Sequence, residues 1–180
     1  MKENRRRLLE IIRERALFMG KIKLTSGKTS NYYIDCRRVT LDPEGAYLVA
    51  EILFEKLKND NIDALGGPTL GSDPICGSFA VISFLNKKPI QTFIVRKEPK
   101  KHGTMKLIEG NLKEDLKVAI VDDVATTGNS LLRTIDIVRK NKCNVKRVIV
   151  IVDREEGAKE NLAKNGYTLE PIFTKTDLGI

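Results

Sequence analysis

The stretch Lys117–Ser130, KVAIVDDVATTGNS, decides the fold. Val118 to Val121 is an apolar run rich in β-branched residues, the composition of a strand buried on both faces. Two carboxylates follow, Asp122 and Asp123, and then a turn of small and hydroxyl-bearing residues. From Leu131 onward the apolar positions Leu131, Leu132, Ile135 and Val138 recur at helical spacing. The order is strand, acidic pair, hydroxyl-rich turn, helix.

That order carries chemistry. In an open parallel sheet, ligands sit beyond the carboxyl ends of the strands. A helix N-terminus at that place offers unpaired N–H groups and the positive end of its dipole, which suits a phosphate. Gly128 lets the backbone approach such a group closely, and Thr126, Thr127 and Ser130 add hydroxyl donors. Asp122 and Asp123 would repel a phosphate at close range. They suit neutral hydroxyls, or a magnesium ion held through water. Phosphate on one side and hydroxyls on the other describe a ribose 5-phosphate.

The rest of the chain repeats the strand–helix alternation. Strands are expected at Ile62–Leu65, Gln91–Val95, Lys117–Val121, Val145–Val152 and Thr168–Phe173. Helices are expected at Ile75–Leu85, Leu131–Asn141 and Glu156–Lys164, the last ended by Gly166. This predicts an α/β fold with a parallel sheet flanked by helices. Ahead of it, Glu3–Phe18 reads as an amphipathic helix on Leu8, Ile11, Ile12 and Leu17. The segment from Gly20 to Val39 reads as a short hairpin outside the main sheet, with a turn at Ser26-Gly27. A further helix starts at Asp42-Pro43, with Asp42 as N-cap. There is no internal repeat, so a single domain over 1–180 is expected, with the hairpin region of about 20–40 forming a small hood.

Composition excludes several classes. Hydrophobic content of 41% with 31% charged residues places the chain among globular proteins rather than disordered ones. No apolar run approaches the ~20 residues that span a bilayer, and the N-terminus lacks the uninterrupted apolar core of a secretory signal. Cys36, Cys76 and Cys143 are odd in number and form no C-x-x-C pattern, which points to a reducing cytoplasm. The net charge of +8 raises nucleic acid as a partner. However, the basic residues are dispersed and Trp is absent, so a polyanionic small molecule explains the charge more simply than a stack of bases. Neither nucleic acid nor membrane is expected as a partner.

A second constellation lies at RKEPKKHGTMKLIEG, Arg96–Gly110. It is too polar for a core element and longer than most connections of its kind. Arg96, Lys97, Lys100, Lys101, His102 and Lys106 crowd into it. A loop of this kind can close over a pyrophosphate, exclude water and bring cations onto the leaving group. His102 is the chain's only histidine, and an imidazole with an unperturbed pKa near ~6.5 suits proton donation around neutrality.

Two motifs together make a family resemblance specific. VAIVDDVATTGNS resembles the phosphoribosyl diphosphate (PRPP) signature of type I phosphoribosyltransferases, and R-K-x-x-K-x-H-G is similar to the catalytic loop of orotate phosphoribosyltransferases. The likeness extends over LTSGKTSNYYID, GGPTLGSDPICG and VDREEGAKENL, and so over most of the chain. It implies a type I phosphoribosyltransferase-like sheet with an N-terminal hood, and a reaction in which orotate and PRPP give orotidine 5′-phosphate and pyrophosphate with magnesium. By the same resemblance Arg96, Lys97, Lys100 and His102 contact the diphosphate end of PRPP, with Lys97 supplied across a homodimer that shares its sites. Asp122, Asp123, Val124, Ala125, Thr126, Thr127, Gly128, Asn129 and Ser130 hold the ribose 5-phosphate, and Thr126 and Arg154 contact orotate. Lys100, His102, Asp122 and Asp123 form the implied catalytic set. No residue is expected to bind the metal directly: magnesium rides on PRPP, with Asp122 and Asp123 reaching it through water.

Two positions depart from the family pattern. Thr25 and Gly71 stand where many members carry lysine, so those lysine roles do not transfer. For Arg154 the plain alternative is an ion pair with Glu155 or Glu156. For the protein, the alternatives are a purine phosphoribosyltransferase sharing the PRPP motif, or a transcriptional regulator that senses PRPP. The orotate-type loop argues against the first. The short N-terminal helix leaves no room for a separate helix-turn-helix domain, which argues against the second.

Overall fold

The computed structural model describes residues 2–23, 29–98 and 107–180. Helix α1 (Lys2–Ile11) buries Leu8 and Ile11, and its continuation widens to a π-helical turn over Ile12–Ala16. The chain then enters strand β1 (Leu17–Lys23), which pairs antiparallel with β2 (Thr29–Ile34) in a separate two-stranded sheet. The helix expected to reach Phe18 therefore stops short. Leu17 is extended and faces Ile34, and Phe18 faces Tyr33. The apolar positions that read as one helical face continue into a strand because β2 offers a partner, which periodicity within one segment cannot register. A short helix α2 (Arg37–Thr40) follows, then α3 (Pro43–Leu57). Asp42 caps α3 as expected, its side chain accepting the Gly45 N–H at 3.0 Å, with Pro43 in the first turn.

The main sheet contains β3 (Ala64–Pro68), β4 (Gln91–Val95), β5 (Ile108–Gly110), β6 (Lys117–Ala125), β7 (Asn144–Asp153) and β8 (Leu169–Thr174), in the spatial order β5-β4-β3-β6-β7-β8. Between and after them run α4 (Asp73–Leu85), α5 (Asn129–Lys140), α6 (Ala158–Lys164) and α7 (Lys175–Leu178). All pairings are parallel except β5, which runs antiparallel to β4. β5 lies inside the segment expected to be wholly loop. A three-residue strand carries too little pattern to be seen in sequence, and its pairing with Phe93–Val95 is what defines it.

The run VAIV is apolar throughout because both faces of β6 are covered. Val118 and Ile120 join the apolar cluster under α5 and α6, with Leu131, Ile135, Val138 and Leu162. Ala119 and Val121 join the opposite cluster, with Leu53, Ile75 and Phe79 of α3 and α4. β6 does not end at Val121 as expected. It continues through the acids, pairing Asp122 with Val150 and Val124 with Val152, because β7 is long enough to carry the ladder that far.

This topology places a crevice. From β3 the chain moves outward to β4 on one side, while β6 lies on the other and leads outward to β7 and β8. The order reverses between β3 and β6, and the turns after those two strands diverge at their carboxyl ends. Among the described residues no helix is long and apolar enough to cross a membrane.

Candidate active site

A cleft of about 580 Å³ opens at that reversal. The turn after β3 contributes Pro68, Thr69, Leu70 and Gly71; β6 and the turn after it contribute Asp122, Asp123, Val124, Thr126 and Ser130. Tyr33, Ile34, Asp35 and Arg37 close one wall from the hairpin and α2, and Lys97, Arg133 and Arg154 bring cations.

The acidic pair is held by its own backbone. Asp122, only 6% exposed, accepts the Asp123 N–H on Oδ1 at 2.9 Å and the Ser130 hydroxyl on Oδ2 at 3.2 Å. Asp123 Oδ1 accepts the Val124 N–H at 2.8 Å. Burial, and next the neighbouring Asp123 charge, push the Asp122 carboxyl well above the usual carboxylate range. Burial also raises Asp123, opposed by the Val124 N–H and the Arg37 guanidinium. Arg37 is itself aimed by a two-point contact with Asp35, at 2.7 and 3.1 Å. Such a pair is completed by ligand hydroxyls or by a cation. The turn after β3 rests directly on it: a Cβ at Gly71 would lie 2.4 Å from Asp123 Oδ1 and 2.6 Å from Asp122 Oδ1. A lysine at position 71 would meet the same carboxylates.

The turn after β6 is shaped for an anion. Gly128 adopts φ +79° immediately before α5, a conformation that suits glycine. Its Cα also faces α6, where an added Cβ would meet Leu162 Cδ1 at 2.7 Å. The Thr127 carbonyl accepts from Asn161 Nδ2 at 2.8 Å, and the Ala125 carbonyl accepts the Arg154 N–H at 2.9 Å. Val124, Thr126 and Ser130 line the cleft along with the acids. Ala125 and Gly128 are buried behind it, and Thr127 and Asn129 are exposed beside it.

The cations divide. Lys97 lines both this cleft and an adjoining cavity of about 500 Å³, whereas Arg96 lines only the latter, with Thr69, Asp73 and Glu109, and pairs with Glu109 at 3.4 Å. Arg133 of α5 donates to the Arg96 carbonyl at 3.1 Å and to the Lys97 carbonyl. Lys100 and His102, like Thr25, lie outside the described residues. Arg154 does pair with Glu156, at 2.8 Å, but at 8% exposure on the cleft wall rather than on an open surface. Asp35, Arg37, Tyr33 and Arg133 were not visible as site residues in the sequence. Arg133 has the pattern of an ordinary solvent-facing helix cation, and only the placement of β4 beside β3 brings the Lys97 carbonyl to it.

A family model, the phosphoribosyl transferase domain, matches residues 40–176. The orotate phosphoribosyltransferase of Aquifex aeolicus (strain VF5) is 43% identical over 177 residues, 97% of each chain. That of Bradyrhizobium sp. (strain BTAi1 / ATCC BAA-1182) is 40% identical over 174 residues, 94% of each chain. A solved structure of Mycobacterium tuberculosis H37Rv orotate phosphoribosyltransferase superposes with a TM-score of 0.86 at 34% identity, covering 98% of this chain and 99% of that one. The same enzyme in complex with PRPP gives 0.83 at 32% identity, with the same coverage. With the cleft, the acidic pair and the glycine turn, these likenesses show that the chain belongs to the phosphoribosyltransferase family, among its orotate phosphoribosyltransferases.

Proposed function

We propose that this protein transfers the 5-phosphoribosyl group of PRPP to orotate, releasing pyrophosphate and forming orotidine 5′-phosphate for UMP synthesis. The observation that carries this reading is the cleft at the sheet's reversal, which gathers buried acids, an anion-ready turn and, beside that turn, Arg154.

In this reading Asp122 and Asp123 accept from the ribose hydroxyls, and the turn from Val124 to Ser130 takes the 5-phosphate on hydroxyls and helix N–H groups. Thr126 and Arg154 face the base, where a planar guanidinium can pair with a carboxylate or ring carbonyl. Arg96 and Lys97, with Lys100 and His102 on sequence resemblance, serve the diphosphate. Preorganised cations there favour charge as it develops on the leaving group.

Magnesium fits this donor set as a passenger of the substrate. Among the described residues no three metal-ligating side chains converge, and a cation that keeps most of its waters needs only one or two carboxylates besides phosphate oxygens. Asp122 and Asp123 would hold it through water. Bound there, the ion would neutralise charge on the departing diphosphate.

The protein is read as one domain over 1–180 with a hood at about 20–40. The shared apolar cluster of Ile34, Cys36 and Val39 with Leu65 and Val121 supports this. A homodimer with shared sites is supported by Val81, Phe84 and Leu85 on α4, large apolar side chains left exposed at helical spacing. Three free, buried cysteines suit a cytoplasmic location. Ultraviolet loss of orotate on adding PRPP and magnesium tests the activity. Turnover of a purine base without turnover of orotate overturns it.

A further inference from the structure

Arg154 does not stand alone at the base end of the cleft. Its Nη2 lies 2.8 Å from Glu156 Oε1, and the same oxygen accepts the Tyr32 hydroxyl at 2.9 Å. Arg154 Nε completes the ring with a longer contact of 3.4 Å to Tyr32 Oη. The guanidinium carbon sits 5.0 Å from the centroid of the Tyr32 ring, within cation–π range. Tyr32 comes from β2 of the hairpin and packs against the large apolar cluster, while Arg154 and Glu156 follow β7. The loop after β7 is anchored from behind as well. Glu155, at φ +55°, accepts both the Thr176 N–H at 2.9 Å and the Thr176 hydroxyl at 2.7 Å.

We infer that Tyr32 and Glu156 are positioning residues for base recognition, holding the Arg154 guanidinium in one orientation on the cleft wall. The inference rests on the reading that Arg154 contacts orotate. A free arginine side chain has many rotamers, and its planar fork recognises a planar anion only when the plane is set beforehand. Glu156 engages Nη2 and Tyr32 engages Nε, which fixes that plane and leaves the remaining donors to the ligand. Burial raises the Tyr32 pKa, so its hydroxyl keeps the proton it donates. The device couples the hood to specificity. The hairpin reaches the base through an arginine that belongs to the main sheet, in addition to any direct contact of its own.

The test uses steady-state kinetics of the full chain with Tyr32→Phe, Glu156→Gln and Arg154→Ala, each with its melting temperature. Tyr32→Phe keeps the ring and removes the hydroxyl, and Glu156 lies at a partly exposed position, so both variants should fold. The expected result is a KM for orotate raised about tenfold in each, the scale of one lost hydrogen bond to a charged group, with KM for PRPP and the melting temperature unchanged. Arg154→Ala should raise the orotate KM further, and adding Tyr32→Phe to it should then cost nothing more. If Arg154→Ala damages orotate use while Tyr32→Phe and Glu156→Gln do not, the positioning role is overturned and the base-site reading stands. If Arg154→Ala leaves orotate use intact, both are overturned. Equal losses for orotate, PRPP and thermal stability in Tyr32→Phe would assign Tyr32 a purely structural role and overturn the inference.

Discussion

Asp122 and Asp123 are ionisable groups in a setting that disfavours their charge. Both have folded-state pKa values raised by burial, so between the ordinary carboxylate range and those raised values the native state holds more protons than the unfolded chain. Their contribution to stability is present below the ordinary range and is lost as pH rises through the raised values. Asp122→Asn should therefore make the ligand-free protein more thermostable at pH 7. The gain should be roughly 2–4 °C for each kcal/mol relieved in a chain of this size, with a flatter pH dependence above the ordinary carboxylate range. PRPP affinity should fall by more than about tenfold in the same variant, since a ribose hydroxyl loses a charged acceptor. Calorimetry of unfolding and titration with PRPP give the two readings, and a lower melting temperature at pH 7 would contradict the first. The neighbouring glycines show how tightly the site is fitted. Gly71 lies against the two carboxylates and Gly128 against Leu162, so a side chain added at either position would have to displace a neighbour.

Helix α5 connects two halves of the site. Its first turn lines the cleft through Ser130, and one turn later Arg133 reaches the carbonyls of Arg96 and Lys97 at the end of β4. The backbone that carries Arg96 and Lys97, the proposed diphosphate cations, is thus tied to the helix that follows the proposed phosphate turn. Arg133→Ala should lower kcat/KM for PRPP by about five- to tenfold, the worth of charged hydrogen bonds of this kind. The melting temperature should stay within about 1 °C, because an exposed side chain contributes little to folding. Kinetics with PRPP as the varied substrate checks this, and an unchanged kcat/KM would show that the tie does not matter to the reaction.

At the level of the assembly, the exposed face of α4 and the implied sharing of Lys97 make one joint prediction. In the single chain Lys97 borders the same cleft as Arg154, whereas the family resemblance assigns it to the partner's site. Lys97→Ala and Arg154→Ala should each be nearly inactive. If the two residues serve one site from different chains, a mixed dimer has one site with both defects and one with neither. Random exchange between the variants should then restore about a quarter of wild-type activity, because half the dimers are mixed and each has one intact site. No recovery, with exchange verified by mass, would assign Lys97 to the cleft of its own chain.

Local chain physics made much of this legible in advance. The strand–acid–turn–helix order of Lys117–Leu131, the Asp42-Pro43 cap and the apolar faces of the helices depend on residues a few positions apart, so they can be read from spacing alone. The reach of β6 past its acids was not legible, because backbone pairing with β7 decided it. Nor was the end of α1, where β2 captured residues patterned for a helix. The site divides in the same way. Asp122, Asp123 and the turn through Ser130 announce themselves by type and order, and Lys100 and His102 are expected from sequence alone. Arg37 beside Asp123, Arg133 on the Lys97 carbonyl, Gly71 against the acids, and Tyr32 closing on Arg154 and Glu156 are products of the tertiary fold. The sheet's reversal between β3 and β6 and the closure of the hairpin over β7 bring distant segments within hydrogen-bond range, and no periodicity within one segment encodes a partner so far along the chain.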